Sequence, residues 1–73
     1  MLVKIEIYND GEYWCARALE EGIFTQGDTL DELMEIIQEA ASLYFEDRLS
    51  KGEQITILTL SEITLKPRAA KVS

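Results

Sequence analysis

A chain of 73 residues allows one small domain and leaves no room for a second core of ordinary size. Leu, Ile, Val and Phe account for 21 of those residues, more than a chain kept disordered by its charge would carry. Its 14 acids and 7 bases give a net charge of −7, which sets most of the surface against a phosphate backbone and disfavours direct nucleic-acid binding.

Val3, Ile5 and Ile7 alternate with Leu2, Lys4, Glu6 and Tyr8, the period of a half-buried strand over residues 2–8. Asn9-Asp10-Gly11 marks a tight hairpin turn, because Asp-Gly tolerates the positive φ that such turns require. A second strand over residues 12–19 sets Tyr13, Cys15, Arg17 and Leu19 on one face and Trp14, Ala16 and Ala18 on the other. After the break Glu20-Glu21-Gly22, the β-prone Ile23-Phe24-Thr25-Gln26 ends at Gly27 and completes a three-stranded meander.

Asp28-Thr29-Leu30-Asp31-Glu32 is a helix start: Asp28 or Thr29 can cap the free amides, and Thr29 with Glu32 fits a capping box. Leu30, Leu33, Met34, Ile37, Ala41, Tyr44 and Phe45 recur at helical spacing as a core-facing stripe, and the helix is predicted to reach about Leu49 before Ser50-Lys51-Gly52 stops it. Residues 55–65, dense in Ile, Thr and Leu, read as a fourth strand that either continues or bends near Ser61 and that Pro67 ends. The order β-β-β-α-β belongs to the α+β class: two layers, one long helix packed on a mainly antiparallel sheet. Residues 1–65 form the domain, and residues 66–73, with Lys66, Arg68 and Lys71, form a loose basic tail.

Cys15 is the only cysteine and histidine is absent, so no intrachain disulfide forms and the usual zinc spacings cannot be written. This usage suits a reducing cytoplasm. The opening MLVKIEIYND alternates where a signal peptide would run apolar, and no stretch approaches the ~20 apolar residues of a membrane span. A core of this size supplies only ~3–5 kcal/mol, so self-association is the expected supplement. Ile36 and Leu43 lie just outside the helix stripe and are the candidates for contact with a second copy.

Charge is uneven along the chain. Residues 1–27 carry five acids and two bases (−3), residues 28–48 seven and one (−6), residues 49–73 two and four (+2), which sum to −7. Asp31, Glu35, Glu39 and Glu46 fall opposite the helix core face. They form either a solvated surface or a docking surface for a basic protein, where complementary potential speeds encounter.

Catalytic chemistry is poorly represented. The commonest general base is missing without histidine. Cys15 reads as an inert packed thiol, with Arg17 on the same face as the one group able to lower its pKa. A two-metal nuclease needs acids converging from several elements, but Glu6 lies opposite the apolar face of its strand and the helix acids face solvent. Neither phosphate-cradling glycine loop occurs. Trp14, Phe24, Tyr44 and Phe45 sit at core-compatible spacings, which speaks against stacking platforms for bases. No catalytic, cofactor-binding or metal-binding residue is assigned.

The segment Gly22-Ile23-Phe24-Thr25-Gln26-Gly27-Asp28-Thr29-Leu30-Asp31-Glu32, preceded by Asn9-Asp10-Gly11 and the aromatic strand Glu12-Tyr13-Trp14-Cys15-Ala16, resembles the HicB-like antitoxins over residues 1 to 60. That family carries a G-x-F/C-T-x-G-D-T/S-x-E-E motif between its third strand and its helix. Here Gly22, Phe24, Thr25, Gly27, Asp28, Thr29 and Glu32 match it, and they read as scaffold residues. The resemblance implies a partial RNase H-like fold without nuclease carboxylates. It also implies a small basic partner, a HicA-type mRNA-cleaving toxin, whose RNA-binding surface the antitoxin covers. Two departures stand out. Many relatives have P-D-L-P-G-C where this chain has Ala18-Leu19-Glu20-Glu21-Gly22-Ile23, and the 13 residues after Leu60 are too few for an appended DNA-binding domain. The alternative is a stand-alone oligomeric scaffold without a toxin partner.

Overall fold

The computed structural model describes residues 1–69. Its elements are β1 (Leu2–Asn9), β2 (Trp14–Ala18), β3 (Phe24–Gly27), α1 (Leu30–Tyr44), α2 (Glu46–Ser50) and β4 (Thr56–Ser61). The four strands form one mixed sheet in the order β3-β2-β1-β4. Short connections make β1–β2 and β2–β3 antiparallel, whereas β4 returns after the helices and pairs parallel to β1, as a long crossover allows. The class is α+β, with the helices on one face.

Alternation along β1 turns Val3, Ile5 and Ile7 inward, and register carries that face across the sheet: Ile5 opposes Ala18, Ile7 opposes Ala16 and Val3 opposes Ile57. The small Ala16 and Ala18 leave space for α1, which lies over β2 and β3 and contributes Leu33, Ile37 and Ala41 to the core. Val3 and Leu33 are completely enclosed. Each such aliphatic side chain contributes ~1.5–3 kcal/mol by leaving water. Trp14, Ile23, Met34, Ile55 and Ile57 form a half-buried rim.

Gly27 determines how closely the helix approaches. A Cβ there would stand 3.1 Å from the Leu33 backbone nitrogen and 3.3 Å from its Cα, so β3 runs against the backbone of the first helical turn. Thr29, extended at φ −125° and ψ 160°, is the N-cap, and its Oγ1 accepts the Glu32 amide at 3.1 Å. Of the two candidate caps, Thr29 fills the role and Asp28 is exposed beside it.

Several boundaries differ from the sequence expectations. The first connection is shifted from the turn expected at Asn9-Asp10-Gly11: β1 runs to Asn9 and β2 begins only at Trp14, and Asp10 organises the loop between them by accepting the amides of Glu12 at 2.9 Å and Tyr13 at 2.7 Å through Oδ1. The helix does not run unbroken to Leu49. Phe45 leaves helical dihedrals (φ −103°, ψ 23°) and turns its ring into the core, and α2 starts anew after it. A straight helix would set residue 45 about 80° round the axis from Ile37, towards the edge of the stripe, and the break brings it back. Tyr44, expected in the stripe, is exposed and meets Phe45 edge-on with centroids 4.8 Å apart. Leu30 is likewise exposed.

The fourth strand pairs over Thr56–Ser61 and stops at the position where the sequence allows a bend, short of Leu65: the last registered pair is Ile7 with Ser61, although β1 itself continues to Asn9. Residues 62–69 continue without secondary structure and exposed. They lengthen the molecule to 64 Å against 22 and 18 Å across, and the radius of gyration, 16.3 Å, exceeds the about 11 Å of a compact chain of this length. Of the basic tail expected over residues 66–73, Lys66 and Arg68 are described, whereas Lys71 lies outside the described residues.

Candidate functional site

The exposed side of α1 holds the acids that the sequence singles out. Asp31, Glu35 and Glu39 follow at intervals of four and share one row along the helix, all exposed. The next position in that row is Leu43, 75% exposed, so the acidic row ends in a bare leucine. Around it Gln38, Glu39, Ser42 and Leu43 line a wide, shallow depression. Glu46 does not continue the row, since it belongs to α2 beyond the break at Phe45, and it too is exposed. Ile36 does not share Leu43's surroundings. It lies two turns earlier on the same flank of α1 and is half-buried, its Cδ1 3.5 Å from where a Gly27 Cβ would stand.

The motif residues form the joint between β3 and α1. Gly22 supplies a positive φ of 73° at the end of the preceding turn. Thr25 faces inward opposite Ala16, and its Oγ1 is buried with no hydrogen-bond partner. Phe24 corrects a sequence expectation. In a four-residue strand its side chain falls on the face away from α1, opposite Arg17, and is 54% exposed rather than part of the core.

Among the described residues, no helix lies on that second sheet face. Glu6 and Arg17 are registered neighbours on it and pair at 3.1 Å, with the guanidinium carbon 5.9 Å from the Tyr8 ring centre. Both partners are solvated, so the bridge contributes at most ~1 kcal/mol. Leu2, Leu58 and Leu60 surround Lys4 on the same face and remain exposed. Sequence alternation sorted these residues to one side of their strands; that no helix among the described residues covers that side is a property of the assembled layers.

Cys15 is the one buried side chain on this face, 1% exposed. Its Sγ lies 3.7 Å from both Asp10 Oδ2 and the Tyr13 carbonyl oxygen. Burial pushes the thiol above its usual pKa and the Asp10 carboxylate adds to the effect, so Arg17 does not activate it as its position in the strand allowed. Asp10 moves the opposite way. The amide of Tyr13, and after it that of Glu12, hold its carboxyl below the ordinary carboxylate value. These two groups stabilise a loop and a protonated thiol, the reverse of a nucleophile with its base.

Among the described residues, no three Cys, Asp or Glu side chains come together as metal ligands. Glu6, the acid a nuclease reading would use, is engaged by Arg17. No helix among the described residues is long and apolar enough to cross a membrane. No protein-family model, curated protein or solved structure matches the chain.

Proposed function

We propose that the chain is a non-catalytic, cytoplasmic binding domain of the HicB-like antitoxin type, which sequesters a small basic mRNA-cleaving toxin of the HicA type. The observation that carries this reading is the row Asp31, Glu35, Glu39 on α1 with Leu43 at its end. Acids along the rim draw in and orient a basic partner, and a solvent-exposed leucine beside them offers the apolar anchor that converts encounter into retention. Glu46, exposed on the neighbouring helix, extends the negative field.

Two further features support it. The meander, crossover helix and fourth strand parallel to the first are the arrangement that a partial RNase H-like domain requires. The motif stretch forms the β3–α1 joint, consistent with a scaffold role for those residues.

The test is inhibition. Titrating the purified chain into an RNA-cleavage assay with a small basic HicA-type nuclease should stop cleavage at a defined stoichiometry. The complex should weaken as salt rises. Replacing Asp31 and Glu35 by Lys should raise the inhibitory concentration at least tenfold, and Leu43→Ala should do so at unchanged charge. Undiminished cleavage together with no complex at low ionic strength refutes the reading.

A further inference from the structure

Among the described residues, the most exposed large apolar side chains, Ile63 and Leu65, lie outside both the acidic row and the motif. They are 82% and 88% exposed, on the segment that runs on past the sheet. The strand before it, β4, is a sheet edge, and no strand among the described residues pairs with its outer side. Its residues Thr56–Ser61 contain no charge, proline or glycine, the devices that ordinarily blunt an exposed edge. The other edge, β3, is only four residues long.

Beside the β4 edge lies a groove. Because α1 is set over β2 and β3, the inner face of β4 is only half covered. Ile55 and Ile57 on the sheet side, with Gln38, Ala41 and Ser42 of α1 and Leu49 of α2, enclose about 160 Å³ there. An added strand would close it with whichever side chains it turned inward.

We propose that two copies of the chain join through their β4 edges about a two-fold axis at Leu60, each laying residues 62–66 along the groove of the other. The sequence is self-complementary in this one register. In an antiparallel pair, opposed residues share a face. With Leu60 opposite itself, Ile57 meets Ile63, Ile55 meets Leu65 and Thr59 meets Ser61, all on the inner side; Thr56 meets Thr64 and Leu58 meets Glu62 on the outer side. A shift of the axis by one residue either way strips an inner apolar residue of its apolar partner: Leu65 passes the start of the strand in one case, and Ile55 is left over in the other. An axis between two residues sets inward positions against outward ones.

Charge favours the same pairing. Two chains of net charge −7 repel, and the arm is where the sign changes. In this register Lys66 falls opposite Gln54 of the partner copy, and Arg68 lies two positions further on, past Glu53. Pro67 ends the pairing at that point. The contact is isologous, so it closes at two copies and does not propagate.

The inference does not depend on the antitoxin reading, and its test needs no toxin. Light scattering on the full chain over a concentration series should give twice 8.3 kDa. Replacing Ile63 and Leu65 together by Lys should halve that mass with an unchanged circular-dichroism spectrum, since neither side chain touches the core of its own chain. Leu60→Cys should cross-link into a covalent dimer on mild oxidation, because the two sulfurs meet at the axis, whereas Leu58→Cys, facing Glu62, should not. Cys15 is buried and stays out of the reaction. A single-chain mass for the unaltered protein overturns the proposal, including the case in which it enlarges only when a basic protein is added. A dimer indifferent to the double lysine variant, or one cross-linked by Leu58→Cys in place of Leu60→Cys, overturns it as well.

Discussion

Thr25 offers a perturbation whose sign follows from a single atom. Its Oγ1 is buried without a hydrogen-bond partner, in a cleft lined by Ile5, Ala16, Ala18, Ile23 and Ile37 that leaves no room for a water molecule. An unsatisfied buried hydroxyl costs ~1–3 kcal/mol. Thr25→Val keeps the β-branched shape that suits a strand and exchanges that hydroxyl for a methyl group. The variant should therefore be more stable by about 1 kcal/mol, the lower part of that range because the residue as a whole is only half-buried. For a domain of this length 1 kcal/mol raises Tm by ~4–8 °C. Urea unfolding followed by circular dichroism should show a higher midpoint at unchanged slope, which separates a stability gain from a change in compactness. Thr25→Ser, which keeps the hydroxyl and loses the methyl, should move the midpoint down by ~0.8 kcal/mol. A midpoint for Thr25→Val that falls or stays in place refutes the reasoning, since it requires the hydroxyl to be satisfied in solution.

Three further outcomes are expected. Gly27→Ala forces a Cβ against the Leu33 backbone, which is held by the first turn of α1 and cannot yield like a flexible side chain; the urea midpoint should fall by ~1–3 kcal/mol, and an unchanged midpoint would show that α1 shifts freely. The Asp10 carboxyl is held below its ordinary 3.8, so its contribution is fully present above that value and is lost as pH falls through the lower folded-state value; acid titration of stability should show this slope in the unaltered protein and lack it in Asp10→Asn. Cys15 is buried with its thiol kept protonated, so alkylation near neutral pH followed by mass spectrometry should be slow in the folded protein and rapid in urea, and equal rates would contradict its placement.

Local chemistry made much of the fold legible. The alternation of Val3, Ile5 and Ile7 shows directly in β1, and the Thr29–Glu32 pattern marks the start of α1 to the residue. What could not be read depended on partners distant in sequence. Residues 55–65 have strand character throughout, and local chemistry leaves open whether they run on or bend near Ser61; pairing with β1 decides it, stopping at Ser61. Helical spacing put Tyr44 in the stripe, but the turn at Phe45 spends that surface on one ring and leaves the other outside. Phe24 is apolar enough for a core, and in so short a strand only pairing with β2 decides which face it takes.

The candidate surfaces divide in the same way. Counting four from Asp31 finds Glu35 and Glu39, and one more step reaches Leu43, which also shares a flank with Ile36 two turns earlier; burial of Ile36 against Gly27 is what the count could not show. Glu46 escapes the count because the helix breaks before it. The groove beside β4 has no local signature, because it results from where α1 sits across the sheet.

The parallel pairing of β1 with β4 has a consequence for synthesis. The amino group of Met1 donates to the Gln54 carbonyl oxygen, 53 positions along the chain, and the ladder to β4 begins beside it. As the chain leaves the ribosome, β1, β2 and β3 can fold into their meander at once, since every contact among them is local. One flank of β1 must then wait, apolar and open, until β4 emerges. During that interval its exposed amides and carbonyls can capture any extended segment, so the nascent protein is most vulnerable to aggregation just before its last strand arrives. Slowing translation within residues 30–55 should prolong that state and raise the insoluble fraction, while leaving the stability of the finished molecule untouched.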